Sequence, residues 1–239
     1  RRDDELSRIA RLECMRQQRR TSNPPTDFDL GEAAPGGDDV SALRRRLAAS
    51  SPLERVCALV EVARRNAAAT VKEDVLRLSR DPIAVVRSLA VSLIPALHVS
   101  NANYLLRQAL EDSDPRVQAN AVEVIDTLRA IELLPLVAHR LDARDGRLRA
   151  NAVKFCAQEG VHDAGEALLN MLDDVSAGYR RSGLWVVERL GLRSLKRRVG
   201  EMAQNDADRT VRRWAQRIHQ ELATSTRAAG RQAELFMST

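Results

Sequence analysis

The chain has 239 residues, with 38 Lys or Arg against 33 Asp or Glu for a net charge of +5. Hydrophobic residues make up 44% but aromatics only 3%, so the core must be built from Leu, Val, Ile and Ala, a helix-forming composition. No apolar run approaches the ~20 residues needed to span a bilayer, and Cys14, Cys57 and Cys156 form no CxxC pair, which excludes a disulfide scaffold and reads as ordinary thiols in a reducing compartment, the cytoplasm.

Residues 1–22 open the chain with a basic segment in which Leu6, Ile9, Leu12 and Met15 recur three apart. This spacing predicts an amphipathic helix with a narrow apolar stripe. Its first twenty residues hold seven basic and four acidic side chains, so it is the part of the chain suited to an anionic membrane surface. No signal peptide is visible. The first residue is Arg rather than Met, so the chain is expected to be a fragment, with an upstream membrane segment left open. Residues 23–39, NPPTDFDLGEAAPGGDD, contain three Pro, three Gly and five acids and read as a flexible acidic linker.

From about 40 to 223 the pattern is helical and periodic. Arg55, Arg87, Gln118, Arg149, Arg180 and Arg212 are spaced 32, 31, 31, 31 and 32 residues apart. Three residues after each stands a small one: Ala58, Ala90, Ala121, Ala152, Gly183 and Ala215. Seven after each come Val62, Ile94, Ile125, Cys156, Val187 and His219. Leu-rich stretches such as NYLLRQAL (103–110) and ELLPLVAHRL (132–141) lie between. A phrase that returns at a fixed interval belongs to architecture rather than catalysis. Neither helix of such a pair can bury its apolar face alone, and stacking buries it continuously. The prediction is an all-α fold, an α-solenoid of about six helix pairs, followed by a short tail over 224–239.

These units resemble the HEAT-repeat family, in the short bacterial form found also in phycobilisome-lyase-like proteins. The resemblance covers roughly residues 40–223. It rests on Asp81 with Arg87, Asp112 with Gln118, Asp174 with Arg180 and Asp206 with Arg212, acid and partner six apart, while Asp145 stands only four before Arg149. The resemblance implies that the turn Asp and the following Arg pair between neighbouring units. The residues expected in this structural ladder are Asp81, Arg87, Asp112, Arg149, Asp174, Arg180, Asp206 and Arg212. It also implies that the second helix of each pair lines a concave face.

No nucleophile with its base, phosphate loop or set of His and Cys at metal spacing is present. The chain is therefore read as a non-enzyme without cofactor or metal. The basic charge is local: residues 176–217 hold eleven basic and four acidic residues. Arg181, Trp185, Arg189, Arg213, Trp214 and Arg217 fall at offsets expected on the concave face. Two readings stay open. Either the tryptophans pack over arginine stems, or tryptophan and arginine together bind a partner. The function inferred is a protein-protein interaction scaffold, its partner another protein bearing an acidic or aromatic segment. One alternative is a nucleic-acid-binding solenoid, resembling HEAT-like DNA glycosylases in architecture only. A second is an accessory subunit of an enzyme or membrane complex.

Overall fold

The computed structural model describes residues 37–224. The expected N-terminal helix (1–22), most of the linker and nearly all of the tail lie outside the described residues. Gly37–Asp39, expected in the linker, open the first helix. Among the described residues there are twelve α-helices, three short 3₁₀ turns and no strand. The chain divides into two compact units, Arg1–Leu128 and Arg129–Thr239.

The first unit contains three helix pairs: α1 (Gly37–Leu47) with α2 (Pro52–Arg64), α3 (Lys72–Leu78) with α4 (Ala84–Ser92), and α5 (Ala102–Leu110) with α6 (Pro115–Leu128). The second helices pack in sequence, α2 on α4 and α4 on α6. Leu47, Val56, Val62, Val75 and Val86 are fully buried at the centre of the first two pairs. The second unit repeats the plan with α7 (Leu134–Ala138) and α8 (Gly146–Gln158), α9 (Asp163–Leu172) and α10 (Ala177–Leu190), and α11 (Lys196–Asn205) and α12 (Arg209–Thr224). Here α10 packs on both α8 and α12. Each aliphatic side chain taken fully from water contributes about 1.5–3 kcal/mol, so cores of Leu and Val suffice with very few rings.

Small residues recur because helices approach closely there. Ala58, Ala90, Ala121, Ala152 and Ala215 are all completely buried, and Gly183 is buried in the same slot. At Gly183 even a Cβ would stand 2.9 Å from Leu172 Cδ2 and 3.3 Å from Met171 Cβ. The helix starts are equally explicit. Ser51 caps α2 by accepting the Glu54 N–H, with Pro52 at the first helical position, where its missing donor costs nothing. Asp145 caps α8 by accepting the N–H groups of Arg147 and Leu148 at 3.0 and 2.8 Å. Gly191, at φ 64°, ends α10 in the left-handed conformation that glycine adopts without strain.

Candidate interaction surface

The acidic phrase before α6 and before α12 is a two-part device. In Asp112-Ser-Asp114 the first carboxylate accepts the N–H two residues on, at 2.9 Å, closing an Asx turn. The second caps α6 through the Arg116 N–H, also at 2.9 Å. Asp206-Ala-Asp208 repeats both parts, with Asp206 accepting from Asp208 N and Asp208 from Thr210 and Val211 N.

The arginine that follows bridges two turns. Arg87 donates back to the carbonyls of Asp81 and Pro82 and forward, in bidentate fashion, to Asp112 at 2.7 and 2.8 Å. Arg180 does the same with the Asp174 and Val175 carbonyls and with Asp206, again at 2.7 and 2.8 Å. Arg55 opens the series. It meets Asp81 with Nε 2.8 Å from Oδ2 and Nη2 3.1 Å from Oδ1, and it also holds the Ala49 and Ser50 carbonyls. Arg55 heads the repeat series in the sequence but is not among the residues expected in the ladder. Its signal was the spacing of 26 to Asp81, the same as Arg180 to Asp206. Gln118 retains only the backward link, to the Asp112 carbonyl. Arg212 keeps its backward links to Asp206 and Ala207.

Arg149 stands apart from the ladder expected of it. Its Nε is buried without a hydrogen-bond partner, and the Asp174 carboxylate accepts from Ser176 N. Asp145 is the capping acid of its unit, not the turn acid, so this unit offers no first carboxylate to the Gln118 that precedes it. The Arg144 carbonyl, which sits where Arg87 and Arg180 find a backward acceptor, takes the Tyr179 hydroxyl instead.

The ladder's electrostatics follow from this geometry. The hydrogen bonds from Arg180 hold the Asp206 carboxyl below the usual carboxylate range, against the opposing effect of burial. Burial pushes Asp112 up, but hydrogen bonds from Arg87 and the Asp114 N–H, with the Arg87 charge, bring it below its ordinary value.

The second candidate lies on α10 and α12. Arg181, Trp185 and Arg189 stand four residues apart, so they share one face of α10. Trp185 is half-buried against the core of the second unit. The Arg189 guanidinium and the Lys154 ammonium both lie 5.8 Å from its ring centroid, within cation–π range. On α12, Arg213 and Arg217 are exposed and Trp214 is half-buried. Trp214 Nε1 donates to Glu188 at 2.9 Å, and Arg217 donates to both oxygens of the same carboxylate at 2.9 and 3.1 Å. Glu188 therefore brings the α12 residues beside the α10 face. Those hydrogen bonds also raise the Arg217 pKa.

Arg181, Arg189 and Arg213 are exposed and are in no ion pair among the described residues. Arg181 makes only a long 3.3 Å hydrogen bond to its own helix, at the Ala177 carbonyl. Glu188 and Lys154 were not singled out in the sequence, though Glu188 occupies a predicted concave offset and Lys154 shares the offset of Trp185. Elsewhere, His219 packs its ring against Gly200 and meets the Lys196 carbonyl at 3.0 Å. No three His, Cys, Asp or Glu among the described residues cluster as metal ligands. No helix among them is long and apolar enough to cross a membrane.

Paired helices, a buried small-residue slot and an Asp–Arg ladder define a helical-repeat fold. Residues 103–188 match the family of HEAT repeats. Among solved structures, the complex of CpcE and CpcF of phycocyanin lyase from Nostoc sp. PCC7120 is similar over 89% of this chain and 98% of that chain, at 16% identity and a TM-score of 0.44. No curated protein matches the chain.

Proposed function

We propose that the protein is a non-catalytic scaffold that docks an acidic, aromatic-bearing segment of another protein on the α10/α12 face. One observation carries the reading. Two tryptophans are held half-exposed beside three exposed arginines that form no ion pair among the described residues. Tryptophan and arginine are the side chains that dominate binding energy at protein interfaces. A carboxylate arriving at Arg181 or Arg213 gains a charge-assisted hydrogen bond without first breaking an internal ion pair. An aromatic side chain gains contact with a ring already fixed in place by Arg189 and the core.

The same surface is less suited to a phosphate backbone. Glu188 lies between the α10 and α12 residues and Glu221 lies against Arg217, so a polyanion would meet two carboxylates. Capture from source extract on the immobilised chain, with and without nuclease, tests this reading. The expected result is a protein that is retained after nuclease treatment and lost when Arg181 and Arg213 are both changed to Glu. Loss on nuclease treatment alone would assign the surface to nucleic acid.

A further inference from the structure

A cavity of about 300 Å³ lies between the second and third helix pairs of the first unit. Val91, Ile94, Leu105 and Val117, all buried, supply its apolar side. Ser79, Arg80 and Gln108 also line it, as do the paired Arg87 and Asp112. It shares no residue with the α10/α12 face and is independent of the docking reading.

The repeat explains why this junction is hollow. Eight residues before the arginine position stand Leu47, Leu110, Leu141 and Leu172, but the second repeat has Ser79. Leu47, Leu110 and Leu172 are fully buried. Ten residues before it, the third repeat has an exposed Gln108 where the sixth has Met202, which is buried with Leu172 in one cluster. Two large apolar side chains of one junction are thus a hydroxyl and an amide in the other, and backbone positions fixed by the repeat do not close the gap. The neighbouring position changes sign. Seven residues before the arginine, the third, fourth and fifth repeats carry Glu111, Asp142 and Asp173, and Asp173 pairs with Arg198. The second repeat carries Arg80 there, exposed, with no ion pair among the described residues. Since Arg87 neutralises Asp112, Arg80 is the uncompensated charge among the lining residues.

We propose that this cavity binds a small aliphatic carboxylate, with its hydrocarbon chain against Val91, Ile94, Leu105 and Val117 and its carboxylate on Arg80. Small-molecule sites occupy about 300–1,000 Å³ and are apolar, with a few polar groups that orient the ligand. A carboxylate gains a charge-assisted, bidentate hydrogen bond from the guanidinium without displacing an internal partner. A cationic amphiphile would be repelled there, and an inorganic anion would gain nothing from the apolar side. The ligand touches two repeats, so its binding stabilises the folded chain.

The test titrates sodium octanoate into the full chain by calorimetry, with octanol and inorganic phosphate as comparison probes. Saturable octanoate binding is expected with Kd below about 1 mM, about tenfold or more tighter than octanol, and phosphate should not bind. Arg80→Ala, which removes no internal contact, should weaken octanoate binding about tenfold with Tm unchanged. Ser79→Leu, which restores the residue of the neighbouring repeats, should abolish binding with Tm unchanged or raised. Octanoate binding that survives Ser79→Leu overturns the cavity as the site. Binding that Arg80→Ala leaves intact, or that octanol matches, overturns the carboxylate's role. No saturation by about 10 mM overturns the proposal as a whole.

Discussion

Arg180 holds both carboxylate oxygens of Asp206, one repeat further along the chain, at 2.7 and 2.8 Å, and both side chains are largely buried. The contact joins α10 to the turn that starts α12 and adds to the bonds from Trp214 and Arg217 to Glu188 between the same two helices. Removing one member leaves the other charged and desolvated, which costs on the order of 1–3 kcal/mol. Arg180→Ala is therefore expected to lower Tm by several degrees. Arg149→Ala, which breaks no ion pair, should change it little. Thermal scans of the two variants check this, and equal losses would contradict the ladder as described.

The ladder also predicts the acid limb of stability. Asp206 and Asp112 titrate below their ordinary value in the folded chain. The unfolded chain therefore takes up protons first, and stability is lost as pH falls from about 4 through the lower folded values. The Tm difference between wild type and Arg180→Ala should be constant above about pH 5 and shrink below about pH 4. A difference that persists unchanged down to about pH 2 would exclude Asp206 as the partner that matters.

Much of this was legible in the sequence, for a specific reason. A repeat every 31 or 32 residues reports architecture, and Arg87 and Arg180 make the pairings that the resemblance implied. Arg149 could not be separated from them by spacing alone. What separates it is the Tyr179 hydroxyl on the Arg144 carbonyl, which is tertiary information. Glu188 was obscured differently. As one acid in a basic stretch it looked incidental, yet it receives Trp214 and Arg217 together. Arg217 consequently has a structural role beside any binding role, and it is a poorer probe of the surface than Arg213.

Gly183 occupies the slot that alanine fills in the other repeats. A methyl group there would press on Leu172 and Met171, and overpacking of this kind costs about 1–3 kcal/mol. Gly183→Ala is expected to lower Tm, and combining it with Leu172→Ala should make the glycine change less costly. Purely additive losses would show that the contact with Leu172 is not the cause.

Cys156 is fully buried in α8, and burial pushes its thiol up to about 12. The reactive thiolate is therefore scarce at neutral pH. Mass spectrometry after maleimide treatment at pH 7.5 should find Cys156 unmodified in the native chain and modified once denaturant is added. Rapid native labelling would contradict the packing of α8.

The central claim is that Arg181, Arg189 and Arg213, with the half-buried tryptophans of α10 and α12, form a docking surface. The most direct measurement compares affinity for the captured partner with thermal stability in Arg181→Glu/Arg213→Glu and in Trp185→Ala. The account predicts that the charge reversal weakens binding at least about tenfold while Tm stays within about two degrees of wild type. It also predicts that Trp185→Ala costs about 2 kcal/mol of affinity. Unchanged affinity in both variants, with Tm preserved, would contradict it.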